Sequence, residues 1–451
     1  MRRRSALLSA IVTPTVAAVG LAAPAAAGAA RDEAPRSSGY PTPTTQGAHW
    51  VNTWTAMPQL TEPANMPPAP FTQGNRVLAD ATLRQTVRVS VGGRYTRIRL
   101  SNAFGGTHLP ITAAAVALPV DGRAGVSAVV PGSTRPLTFG GRPGITIAKG
   151  AQGVSDPLDF EVRPGSNLTV TLYLAEGQAS SSITSHPGSR TTSYMLAGDH
   201  VGDSDLPGAT PVDHWYFLSG VEAWSTRTTA AAVMLGDSLT DGRGSTTNMN
   251  NRWPDQLLNR LQSRPATSHI AILNQAAGGN RILNDGLGPN ALARLDRDVL
   301  AQSGVSWLFV FHGINDIPGG TTESSAQRVT ADLIAAYQQI IARAHAQGIR
   351  VYGATLTPFG GNGYDDAAGL HESSRQAVNK WIRTSGRFDA VVDFDQVVRD
   401  PQNPRRLAPA YDVGDHLHLN PAGYQTLADA VPTRLFQQTS APPGFPLTDA
   451  R

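Results

Sequence analysis

Two short stretches carry residue types that cooperate in nucleophilic chemistry. In Val233-Met234-Leu235-Gly236-Asp237-Ser238-Leu239-Thr240-Asp241-Gly242, small and apolar residues run from Ala230 to Leu235 and stop at a glycine, an acid and a serine. A buried strand ending this way puts the Ser238 hydroxyl at the carboxyl edge of a sheet, where open α/β sheets bind ligands. Taken alone, the stretch is equally a strand–helix turn in which Asp237 or Ser238 caps the next helix. The second stretch is Tyr411-Asp412-Val413-Gly414-Asp415-His416-Leu417-His418-Leu419-Asn420-Pro421. Asp415 and His418 are three apart, just before a helix opened by Pro421. In a tight loop this spacing lets the carboxylate reach Nδ1 of His418 and leaves Nε2 free to take a proton from a hydroxyl. His416 competes for the role, but it directly follows the aspartate and is expected to point away.

A serine nucleophile also needs donors facing the oxyanion that forms when it attacks a carbonyl. Asn274-Gln275-Ala276-Ala277-Gly278-Gly279-Asn280-Arg281 follows a second apolar run, and a glycine backbone N–H there can approach a ligand closely. Phe311-His312-Gly313-Ile314-Asn315-Asp316 follows a third and offers the Asn315 side-chain amide. Singly, a glycine pair is an ordinary turn and Asn-Asp a helix cap. Four such segments on one sheet edge are hard to explain by structure alone. Arg281 and His312 border the same edge and are candidate substrate-rim contacts, whereas Asp237 and Asp241 read as loop and helix-start residues.

The elements that must position these residues alternate. Buried-strand candidates at Ala230–Leu235, Ile270–Leu273, Trp307–Phe311, Val351–Ala354 and Ala390–Val392 alternate with amphipathic stretches near Pro254–Ser263, Ala291–Ala301, Ser325–Gln347, Ser373–Thr384 and Pro421–Phe436. This predicts an α/β domain with a doubly wound parallel sheet over residues 226–438. Before it the texture is β-like. Val87, Val89 and Val91 alternate with polar residues, Gly92-Gly93 follow, and Thr96, Ile98 and Leu100 alternate again, which predicts a hairpin. Leu168, Val170, Leu172 and Leu174 alternate likewise, and short runs separated by turn signals predict a β-sandwich or jelly-roll domain over 47–225. The loop Phe359–Asp365 has the composition of a mobile rim.

Gly236-Asp237-Ser238-Leu239, Gly279, Gly313-x-Asn315-Asp316 and Asp415-x-x-His418 together resemble the four ordered blocks of the GDSL/SGNH hydrolase family, over residues 230–438. The resemblance implies a flavodoxin-like sheet and a serine esterase that works through an acyl-enzyme; no cofactor is expected. It implies Ser238 as nucleophile, His418 as base and Asp415 as its orienter. The oxyanion donors it implies are the backbone N–H of Ser238, the backbone N–H of Gly279 and the Asn315 side chain. Counted from Asn274, Gly279 rather than Gly278 is the matching glycine. The β-rich first half and the Gly-Gly-Asn-Arg block resemble extracellular two-domain members, some of them assigned to carbohydrate esters such as acetylated xylan.

Composition bounds the rest. Arg2-Arg3-Arg4, an apolar segment to Ala26 and small residues to Ala30 form a secretory leader over 1–30, by an ordinary or twin-arginine route. Pro14 and Pro24 interrupt the apolar run and argue against a stable membrane span. A Pro/Thr/Ser-rich linker is expected over 31–46 and an irregular tail over 439–451. The leader holds three arginines and no acid, so the remaining chain carries 34 basic and 34 acidic side chains, and no basic run suggests nucleic acid. The absence of cysteine excludes disulfides, thiol chemistry and cysteine-held metals. No His-Glu-x-x-His spacing suggests a metal hydrolase. The expected substrate is an ester, either an acylated polysaccharide or a lipid of the lipase/phospholipase type. The rival of another class is a glycan- or wall-binding protein with a vestigial hydrolase half.

Overall fold

The computed structural model describes residues 47–437. The expected leader, linker and tail lie outside the described residues, which all belong to one compact unit. No described helix is long and apolar enough to cross a membrane.

The first half is built on two larger antiparallel sheets, with three smaller ones of two or three strands beside them. One is five-stranded: Ala48–Thr55, Leu218–Thr226, Gly93–Ser101 and Gln152–Val154 lie in that order, with Leu158–Val162 also paired to Gly93–Ser101. The other is six-stranded, in the order Thr210–Val212, Ser193–Ala197, Ala81–Arg88, Asn167–Leu174, Ala113–Ala117 and Arg135–Pro136. Ile98, Leu100 and Val221 of the first sheet and Leu83, Val87, Val170 and Leu172 of the second meet in one apolar core. The expected hairpin around Gly92-Gly93 does not form. Ala81–Arg88 pairs in one sheet and Gly93–Ser101 in the other, so residues 89–92 cross between sheets. Alternation reports which side chains are apolar and not which strand is the partner: Gly93–Ser101 buries alternate residues, whereas Ala81–Arg88 is buried on both faces.

The second half is a five-stranded parallel sheet made of β1 (Ala230–Gly236), β2 (Ile270–Asn274), β3 (Val305–Phe311), β4 (Arg350–Ala354) and β5 (Ala390–Val392). Its strand order is β2-β1-β3-β4-β5. The direction of progression reverses between β1 and β3, the switch point at which such sheets open a crevice. The strands read as continuous apolar runs because helices cover both faces. The helices are α1 (Ser238–Asp241), α2 (Trp253–Gln262), α3 (Ala291–Leu295), α4 (Glu323–His345), α5 (Leu370–Thr384), α6 (Phe394–Val398) and α7 (Pro421–Ala430). Two are shorter than their periodicity predicts. The stretch Ala291–Ala301 passes into a π turn over Asp296–Leu300 after α3. The stretch Pro421–Phe436 breaks at Pro432, which lacks the N–H a helix interior needs, and resumes as a 3₁₀ turn over Thr433–Phe436.

The halves interlock rather than hang from a linker. Val51 and Val91 of the first half are buried in the core of the second. Ser90 Oγ donates to the Ile272 carbonyl at 2.8 Å and accepts from the Ile272 N–H at 3.2 Å, so it inserts into the backbone of β2. Asn52 and Ser303 exchange two further bonds of 3.0 and 2.7 Å.

Candidate active site

β1 ends at Gly236, and the Asp237 carboxylate caps α1 by accepting the Leu239 N–H at 3.1 Å. Ser238 therefore opens the helix on the sheet edge. Its Oγ lies 2.8 Å from Nε2 of His418, a residue 180 positions away. His418 Nδ1 lies 2.6 Å from Asp415 Oδ2, and Asp415 Oδ1 accepts the backbone N–H groups of Leu417 at 3.1 Å and His418 at 2.8 Å. A carboxylate only accepts, so Nδ1 carries the proton and Nε2 is the acceptor facing the serine hydroxyl. His416 turns away, with Nδ1 on Asp412 Oδ2 at 2.6 Å and 47% of its side chain exposed.

Burial lowers the His418 pKa from its ordinary value of 6.5, more than the Asp415 hydrogen bond raises it. Asp415 is itself partly buried, which alone would raise its carboxyl. The hydrogen bonds from the His418 backbone and ring outweigh this and hold it below the usual range. His418 is thus a neutral base at neutral pH, and protonation switches it off. We expect kcat/KM to be constant at neutral pH and to fall as pH drops through an inflection below about 6.5. An inflection above that value in a pH–rate profile would contradict the buried-base geometry.

The expected oxyanion donors, Ser238, Gly279 and Asn315, line one cleft. Gly279 has φ +68°, a left-handed conformation that favours glycine, and the exposed Leu287 side chain packs over it. Gly278 and Gly279 both border the cleft. Among the described residues, no hydrogen bond occupies the N–H of Gly279. Asn315 Nδ2 donates one proton to the Asn280 carbonyl at 2.9 Å, and its Oδ1 accepts the Tyr364 hydroxyl at 2.6 Å. The Asn280 carbonyl, which only accepts, fixes which end of the amide is Nδ2, the tyrosine hydroxyl then donates to Oδ1, and the second Nδ2 proton is left for a ligand.

A buried layer holds these donors. Asp316 accepts the N–H groups of Ile282 and Leu283, each at 2.9 Å, and pins the backbone just after the glycine turn. Arg294, fully buried, donates to the carbonyls of Gln275 at 2.6 Å and Gly236 at 3.3 Å and to Asn280 Oδ1 at 3.0 and 3.1 Å. One guanidinium therefore braces both the nucleophile strand and the glycine loop. His312 belongs to this layer and not to the rim. It is 1% exposed, with Nε2 on Asn280 Oδ1 at 3.1 Å and Nδ1 3.4 Å from Asp237 Oδ2. Arg281 is exposed and borders a separate depression beside Leu283 and Asp316, so neither candidate rim residue lines the cleft with Ser238.

That cleft has a volume of 570 Å³, and the first half of the chain supplies one wall of it, including Gln59, Glu62, Asn65, Arg190 and His214. Asp241 does not start a helix but ends α1, where its Oδ1 lies 2.9 Å from Nε2 of His186. The motif reading missed Tyr364, Arg294 and this whole wall, because none carries a local signal. Tyr364 sits in the glycine-rich loop expected as a rim, which Asn362 ties to the Asp415 carbonyl at 2.8 Å. A larger cavity of 810 Å³ lies at the amino ends of β1 and β3, beside Ala230 and Val305, and contains no hydrogen-bonded serine–histidine pair.

A protein-family model described as the GDSL-like Lipase/Acylhydrolase family matches residues 234–426. No curated protein sequence matches the chain. Among solved structures the chain is similar to a G-D-S-L family protein from Desulfitobacterium hafniense DCB-2, at 19% identity over 46% of this chain and 99% of that one, with a TM-score of 0.34. It is similar also to an acetylxylan esterase from Geobacillus stearothermophilus, at 20% identity over 45% of this chain and 91% of that one, with a TM-score of 0.33. Ser238, Gly279, Asn315, Asp415 and His418 all fall within the matched segment, and the chain therefore carries a carboxylic ester hydrolase domain of the GDSL-like lipase/acylhydrolase family.

Proposed function

We propose that the protein is a secreted serine esterase that removes short acyl groups from a polyhydroxylated carrier such as acetylated polysaccharide, with the first half acting as a β-sandwich that walls its cleft. The observation that carries the reaction is the relay from Ser238 Oγ through His418 to Asp415, open to the cleft. Ser238 Oγ attacks the acyl carbonyl while its proton passes to His418 Nε2. The tetrahedral oxyanion is held by the N–H groups of Ser238 and Gly279 and by Asn315 Nδ2. Collapse breaks the bond to the carrier oxygen, which takes the proton from His418 and leaves as an alcohol. Water, deprotonated by the same imidazole, then clears the acyl-enzyme. The polar wall made of Gln59, Glu62, Asn65, Arg190 and His214 supports a hydrophilic carrier over an acyl-lipid one. The leader reading supports export.

The test combines fluorophosphonate labelling with a substrate panel. Expected are labelling that requires Ser238, acetate release from acetylated xylan, and rates on p-nitrophenyl esters that fall with acyl length. Absence of labelling would remove the esterase reading. Preferential hydrolysis of phosphatidylcholine would replace the carrier.

A further inference from the structure

One feature of the cleft is left unused by the relay and the oxyanion donors. Asp241 lines the cleft but is 1% exposed; its Oδ1 is engaged by His186, and its buried Oδ2 has no hydrogen-bond partner among the described residues. Glycine lets the backbone pack directly against it. A Cβ on Gly188 would lie 1.8 Å from Oδ2, and one on Gly278 3.9 Å from it. Across from it, Arg190 places Nη2 at 3.9 Å from Oδ2, beyond a hydrogen bond, and its buried Nε has no acceptor. Arg190 is held in place by its backbone, whose carbonyl accepts the Asn248 N–H at 2.9 Å.

We propose that Asp241 and Arg190 form a hydroxyl-reading subsite that binds an alcohol group of the acyl carrier beside the scissile ester. The chemistry selects the ligand. A carboxylate only accepts and a guanidinium only donates, so the group that satisfies both must donate and accept at once. A hydroxyl does this. A carbonyl or phosphate oxygen has no proton for Asp241, an ammonium has no lone pair for Arg190, and an alkyl chain leaves both buried atoms unpaired. Position sets which hydroxyl is read. Asp241 lies three residues after Ser238 on α1, a spacing that puts Cβ atoms roughly 5–6 Å apart on one helix face. That is the reach from an ester group to a hydroxyl on the adjacent carbon of the same carrier. Gly188 and Arg190 come from the first half and Asp241 from the second, so the subsite exists only where the halves meet. The proposal rests on Ser238 being the nucleophile and narrows the carrier to vicinal diols and sugars.

Two esters that differ by one hydroxyl test it: trans-2-hydroxycyclohexyl acetate and cyclohexyl acetate. The full chain should favour the hydroxy ester in kcat/KM by at least about tenfold, since sites built to bond a hydroxyl discriminate strongly against its absence. Arg190→Met and Asp241→Asn should each reduce that preference to about twofold or less. Arg190 is partly exposed, so its variant tests the subsite even if replacing the buried Asp241 prevents folding. Equal rates on the two esters in the unaltered protein, or a preference kept by a folded Arg190→Met, would overturn the subsite and leave the esterase reading intact. No turnover of either ester together with no fluorophosphonate labelling would overturn both.

Discussion

Replacing Ser238 by alanine is expected to lower kcat/KM for p-nitrophenyl acetate by at least about 10⁴-fold with the melting temperature unchanged. Ser238 Oγ is the oxygen bonded to His418 Nε2, and removing it leaves a small void at the cleft and no unpaired charge. His418→Ala should match this loss. Combining the two should add little, because nucleophile and base act as one unit. His416→Ala should stay within about threefold of the parent, since His416 faces solvent on Asp412 and contributes only a surface pair. Steady-state kinetics on the four variants decides it. A His416→Ala loss larger than that of His418→Ala would mean that the other imidazole is the base.

Asn315→Ala is expected to reduce kcat by about 10²–10³-fold with little change in KM. In the proposed mechanism the second Nδ2 proton of Asn315 meets a charge that exists only after attack, so its loss falls on the transition state and not on substrate binding. Tyr364→Phe should give a smaller loss of about tenfold, again in kcat. It removes no donor to the oxyanion but frees Asn315 Oδ1, so the amide is anchored by the Asn280 carbonyl alone and is held less firmly. The split between kcat and KM separates these roles from simple packing: a rise in KM at constant kcat for either variant would place the side chain in ground-state binding.

The chain shows where sequence is legible and where it is not. Asp415 and His418 were readable as a pair because three residues within one loop bring them together whatever the remainder of the chain does. The first three strands of the parallel sheet were readable because burial on both faces leaves uninterrupted apolar runs. The same local logic failed at Gly92-Gly93. A glycine pair between alternating runs specifies a change of direction and not a partner, and here the two strands belong to different sheets.

The sequence by itself pointed to ester hydrolysis in the second half, through the type and order of Ser238, Gly279, Asn315, Asp415 and His418. Tertiary structure alone decided what surrounds that chemistry. Tyr364 on Asn315, Arg294 beneath Gly236 and the glycine loop, and His186 and Arg190 beside Asp241 are contacts between segments far apart in sequence. The physical reason is that such contacts are set by how sheets and helices stack, which periodicity does not encode. Burial then imposes the pairing, because a polar group removed from water must find a partner in whatever element the fold brings alongside it.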